Sequence, residues 1–149
     1  MNTDFRFMAS MAVVFAVMVF GGCSSPTVKY SYDPQFGFQG AKTYRWDESG
    51  KPYGDPLLEA NVQFLSDRLL EAKGLTRTDQ PALRISIRYE SSSYSYSYEL
   101  RALSLNVFRA DTNQLVWRGV ATGTIRSDAT YGDLSAALQN ILGNFPPTK

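Results

Sequence analysis

One thiol and no imidazole set the chemical reach of this chain. Cys23 is the sole cysteine, and histidine is absent. Those two facts remove His-centred triads, Cys–His dyads, histidine-rich zinc sites and any internal disulfide. Cys23 follows Phe20-Gly21-Gly22 and precedes Ser24-Ser25-Pro26, at the end of an apolar run from Phe7 to Phe20 broken only by Ser10. Small residues before a cysteine let a peptidase admit the chain next to an acylated thiol. The run is short for a membrane-spanning helix, which needs about 20 residues, and it matches the hydrophobic region of a secretory signal peptide. The stretch looks like a bacterial lipobox, departing from the usual pattern in Phe20, where Leu is common, and in a leader whose Arg6 is opposed by Asp4. The chemistry expected of Cys23 is therefore lipidation: a thioether to diacylglycerol, and an N-acyl group on the new terminus.

Aromatic side chains offer the other candidates. Residues Ser91-Ser92-Ser93-Tyr94-Ser95-Tyr96-Ser97-Tyr98 put Tyr94, Tyr96 and Tyr98 on one face of an extended segment. Such a row could stack on a sugar ring or grip a partner's edge, because tyrosine brings a large contact area at low entropy cost. Cross-strand packing is the competing role. Trp46 and Trp117 could line a ligand cleft or fill the core. The arginines at 84, 88, 101, 109, 118 and 126 could align across strands into a basic stripe, able to meet phosphates of lipid head groups.

No catalytic constellation accompanies them. The sequence has no GxGxxG after a strand, no Walker-type lysine and no GxSxG elbow. Asp128 and Asp133 bracket the start of the last helix, where a carboxylate usually caps backbone N–H groups. Carboxylate clusters of the kind that hold Ca²⁺ are absent. We expect no enzyme activity, no metal and no cofactor beyond the acyl groups on Cys23. The formal charge of +1 lacks the concentrated basic footprint that nucleic acid requires.

The elements that must position these residues follow from periodicity. Thr27 to Tyr32 alternates, and Asp33-Pro34 stops it; Ala41 to Trp46 reads as a second strand. Asp55-Pro56 opens a helix running to about Lys73, with Leu58, Val62, Leu65 and Leu69 as its apolar stripe and Gly74 as a left-handed terminator. Leu83, Ile85, Ile87 and Tyr89 mark a half-buried strand. The large side chains then move from odd to even positions, which requires a bulge or turn near Ser91 to Ser93. Leu103, Leu105 and Val107 form the next strand, and Asp111 to Gln114 a hairpin turn with Asn113 at positive φ. Leu115 to Ile125 returns, and Leu134, Ala137, Leu138, Ile141 and Leu142 form the last helix. The fold class expected is α+β in two layers: an antiparallel sheet of about five strands with two helices packed on one face.

This ordered set of motifs resembles the domain-of-unknown-function 4136 family of bacterial lipoproteins. The likeness rests on Tyr32-Asp33-Pro34 with Phe38, Lys42-Thr43-Tyr44-Arg45-Trp46, Leu70-Glu71-Ala72-Lys73-Gly74-Leu75, Leu115-Val116-Trp117-Arg118-Gly119 and Phe145-Pro146-Pro147. Gly37, Ala82 and Arg109 stand where members often carry Asp. The resemblance implies an anchored α+β domain and supplies no reaction or ligand.

The organisation expected is a signal peptide over 1–22, an acylated tether over 23–27 and one periplasmic domain over 28–149. Cleavage leaves 127 residues, 149 less the 22 removed. Ser24 resembles the outer-membrane sorting signal, so the domain is placed in the periplasm on the inner leaflet of the outer membrane. The leading function is a non-catalytic interaction or envelope-assembly module with an envelope protein as partner. The alternative is a carrier or sensor of a hydrophobic or glycan ligand, held in a cleft lined by Trp46, Trp117 and tyrosines.

Overall fold

The computed structural model describes residues 26–47, 55–91, 99–127 and 132–147. Six strands form one sheet: β1 (Thr27–Tyr32), β2 (Thr43–Trp46), β3 (Thr76–Arg77), β4 (Leu83–Ser91), β5 (Glu99–Arg109) and β6 (Leu115–Arg126), in the order β1-β6-β5-β4-β2-β3. Among the described residues there are two α-helices, α1 (Pro56–Ala72) and α2 (Gly132–Gly143). No helix among the described residues is long and apolar enough to cross a membrane.

The two-layer α+β class is as expected, and two details of the sheet are corrected. There are six strands, and β2 runs parallel to both its neighbours, β3 and β4, so the sheet is mixed rather than antiparallel. The cause is the connection. The chain leaves β2, passes through α1 and re-enters the sheet, and a crossover of that length brings the returning strand back in the same direction. The two residues of β3 are too few to show alternation in the sequence. They pair through Thr76 N–H to the Lys42 carbonyl and Thr78 N–H to the Tyr44 carbonyl.

Local chemistry sets the helix limits. The Asp55 carboxylate accepts from the N–H groups of Leu57 and Leu58 at 3.0 and 3.1 Å, and Pro56 takes the first helical position. The Asp55 N–H donates to the Tyr89 hydroxyl at 2.6 Å, which fastens the start of α1 to β4. Gly74 ends the helix at φ +81, where a side chain would be strained, and the Leu75 N–H returns to the Leu70 carbonyl. The buried stripe of α1 is Leu58, Val62, Ser66 and Leu70, with Leu65 and Leu69 only partly covered. It is turned slightly from the stripe that the leucine spacing alone suggests.

Register sorts the two sheet faces. Tyr44, Trp46, Leu83, Ile85, Leu103, Leu105, Val107, Trp117 and Ala121 point to the helices and are buried. Leu134, Ala137, Leu138, Ile141 and Leu142 of α2 close over them. The expected break in alternation lies at Glu90/Ser91, where the β4–β5 register shifts. Asn113 adopts φ 60 in the β5–β6 hairpin, as its residue type suggests.

Candidate functional site

Trp117 is fully buried. Its ring meets Phe145 edge-on with centroids 5.0 Å apart, and Phe145 in turn meets Phe38 at 5.8 Å. Trp46 is 5% exposed and its indole N–H donates to Asp67 Oδ1 at 2.7 Å. The same oxygen accepts from the Tyr44 hydroxyl at 2.7 Å, while Arg77 Nη1 reaches Asp67 Oδ2 at 3.1 Å. One partly buried carboxylate of α1 thus satisfies two buried aromatic donors from β2 and an arginine from β3. A polar depression of about 600 Å³ opens beside this cluster, lined in part by Trp46, Gln63 and Arg77. The Asp67 carboxylate is already engaged by three donors, so the arrangement fixes α1 to the sheet edge.

The cluster makes two predictions. Asp67→Ala leaves the Tyr44 and Trp46 donors unpaired, each costing about 1–3 kcal/mol, and urea unfolding should register a total near 3 kcal/mol; Asp67→Asn, which keeps an acceptor, should lose about a third of that. The second concerns pH. Burial, and then the hydrogen bond to Asp67, hold the Tyr44 phenol well above its ordinary pKa; burial also raises Tyr89. The unfolded chain ionises these phenols near pH 10 and the folded chain does not. Their stabilisation is therefore complete below about pH 10 and is lost as pH climbs toward the folded values. Denaturant titrations between about pH 8 and 11 should show this decline, and Tyr44→Phe should flatten it.

A different part of the surface carries an aromatic groove. Two adjoining depressions of about 400 and 240 Å³ share Tyr32, Pro146 and Pro147. The larger is lined also by Pro34, Phe36 and Phe38, with Lys42 on its rim; the smaller by Tyr30 and Lys73. Tyr30 and Tyr32 are 51% and 40% exposed although they lie on the helix side of β1. They overhang the end of α2 because β1 is the edge strand of the sheet among the described residues. The result is an aromatic and proline-lined groove with two lysines and no carboxylate among its lining residues. Large, stiff apolar surfaces of this kind give contact area at little entropy cost.

Sequence reasoning did not single out this groove. Its walls come from the loop after β1 and from the segment after α2, more than a hundred residues away. A signal was nevertheless present: Tyr32-Asp33-Pro34, Phe38, Lys42 and Phe145-Pro146-Pro147, separate in the sequence, meet at this one place. Of the residues named from sequence, Cys23, Tyr94, Tyr96 and Tyr98 lie outside the described residues. Of the six arginines, Arg84, Arg88 and Arg118 share the sheet face turned from the helices, whereas Arg109 pairs with Asp111 at 2.6 Å. Among the described residues, no three His, Cys, Asp or Glu side chains gather as a metal site would require.

Residues 28–147 match the domain of unknown function DUF4136. The chain belongs to that family. The DUF4136 match spans all six strands but the first residue of β1, both helices and every wall of the groove. No curated protein matches the sequence. Among solved structures, a PDZ domain protein from Parabacteroides distasonis is similar at TM-score 0.60 and 15% identity, over 84% of this chain and 37% of that one. The DUF4136 chain thus corresponds to a little over a third of that longer protein. A PelC dodecamer from Paraburkholderia phytofirmans is similar at TM-score 0.55 and 16% identity, over 78% of this chain and 94% of PelC. A second PelC dodecamer, from another crystal form, gives 0.54 and 15%. At such identities the likeness shows a shared fold.

Proposed function

We propose that this protein is a lipid-anchored, non-catalytic interaction module of the bacterial envelope, tethered through acylated Cys23 to the outer membrane and facing the periplasm. The observation that carries the reading is the groove beside β1: two exposed tyrosines and two prolines next to a sheet edge that has no neighbouring strand among the described residues. An extended partner segment can add to the β1 edge through backbone hydrogen bonds and place alternate side chains in the groove. Lys42 and Lys73 favour a segment that carries carboxylates. PelC, which shares the fold along nearly its whole length, forms a dodecamer; a second copy of this chain is thus one partner the reading admits, and another envelope protein is the other.

The geometry suits a tether. Three residues separate Cys23 from Thr27, four steps with a reach of at most about 14 Å, and β1 then carries the chain to Tyr32 at the opposite end of the sheet. The groove would stand away from the membrane. Ser91 and Glu99 belong to the same end of the sheet as Thr27. Tyr94, Tyr96 and Tyr98 are proposed as a second contact, on the strength of their sequence alone. Replacing all three by Ser should weaken partner capture with little change in thermal midpoint.

A photoreactive phenylalanine at Tyr32 tests the main contact. It should cross-link one protein of defined mass, itself or another, whereas the same group at Phe64, exposed on α1, should not. Equal, diffuse labelling from both positions would sink the groove reading. The carrier reading draws on the same depression, whose volume of about 400 Å³ and aromatic walls suit a small apolar or sugar group. Labelling of a small molecule in place of a protein would favour it.

A further inference from the structure

The sheet face turned from the helices carries three arginines around one buried amide. Register aligns Ser31, Arg118, Asn106 and Ser86 in a row across β1, β6, β5 and β4. Arg84 and Arg88 stand two residues either side of Ser86, roughly 7 Å from it along the strand. Asn106 is 1% exposed. Its Oδ1 accepts from Arg118 Nε at 2.6 Å, while its Nδ2 has no hydrogen-bond partner among the described residues, and neither does Arg84 Nε. A buried N–H left unpaired costs about 1–3 kcal/mol. Two buried donors on one sheet face, one of them part of a guanidinium, thus lack an acceptor among the described residues.

The charge balance says what kind of acceptor. Lys29, Arg45, Arg84, Arg88 and Arg118 share this face by register, and the carboxylates set against them are Asp47 and Glu90. Asp47 is engaged by Arg84 at 3.5 Å, and Arg84 also donates to Asn113. Arg88 and Arg118 form no salt bridge among the described residues. Planar guanidinium donors on both strands that flank β5, sharing one face by register, match an oxyanion with acceptors in several directions, a phosphate more than a single carboxylate.

We propose that this face binds a phosphate-bearing ligand: Asn106 Nδ2 and Arg84 Nε donate to its oxygens, and Arg118 and Arg88 close over it. Arg118 is exposed and lifts from Asn106 as the anion enters. The site is independent of the groove beside β1, and its ligand is either a phospholipid head group or a soluble phosphate ester.

Inorganic phosphate, titrated into the full-length ¹⁵N-labelled protein at constant ionic strength, is the first probe. The Asn106 side-chain amide should shift saturably with phosphate and stay still with chloride. Arg118→Gln and Arg88→Gln, at exposed positions that leave the core intact, should each weaken binding about tenfold, the value of one charge-assisted hydrogen bond. A shift that rises linearly and equally with either salt, or full-strength binding in both variants, would overturn the proposal. Competition then assigns the source: phosphatidylglycerol vesicles displacing phosphate identify a lipid head group, and glycerol phosphate displacing it while vesicles do not identifies a soluble ester.

Discussion

Gly119→Ala is expected to cost about 3 kcal/mol or more, and to lower the thermal midpoint by about 10 °C. A Cβ built on Gly119 would lie 2.3 Å from Trp117 Cη2, 2.9 Å from Trp117 Cζ2 and 2.7 Å from Ile141 Cγ2. Those are far inside van der Waals contact. The neighbours cannot yield cheaply: Trp117 is fully buried against Phe145, and Ile141 belongs to the face of α2 packed on the sheet. Glycine here serves the close approach of α2 to β6 rather than a special backbone angle. A double-mutant cycle isolates the clash. Trp117→Leu is itself destabilising through its cavity, yet combining it with Gly119→Ala should cost at least about 1 kcal/mol less than the sum of the two. Simple additivity would show that the helix shifts away instead and that the packing described here is not rigid.

The second large effect concerns the anchor. Cys23→Ser is expected to reduce incorporation of labelled palmitate to background and to remove the acylated 127-residue species, residues 23 through 149 of the chain. Serine keeps the size of the side chain but lacks the nucleophilic thiolate that forms the thioether, and the acyl additions that follow depend on that step. One acyl chain holds a protein only marginally, while two give stable attachment, so loss of the thiol removes the whole anchor rather than part of it. Palmitate labelling that persists in the variant would contradict the lipid-anchor proposal directly.

How far the sequence could take a reader depends on what each feature answers to. α1 was legible because local rules govern its ends: Asp55 caps it, Pro56 starts it and Gly74 releases it. β4 was legible from strict alternation, and the turn at Asn113 from residue chemistry. The parallel pairing of β2 was not, since alternation reports which face a side chain takes and says nothing about strand direction. Direction follows from the α1 crossover between β2 and β4. The third strand escaped because two residues carry no period. The groove escaped for a related reason: Tyr32 and Pro146 are neighbours only after β1 has paired with β6 and α2 has folded over Trp117. The basic face was half legible. Alternation put Arg84, Arg88 and Arg118 together, but only the register shows that they surround Asn106, and only the turn beyond β5 takes Arg109 to Asp111.

The central claim is that an acylated chain presents its groove to a protein partner. Native mass spectrometry of the protein released gently from its own envelope tests it in one spectrum. The account predicts a subunit that begins at acylated Cys23, bound in fixed stoichiometry to a second polypeptide or to further copies of itself, with the complex lost in the Tyr30→Ala, Tyr32→Ala variant. A lone, unacylated subunit with the same spectrum in wild type and variant would contradict it.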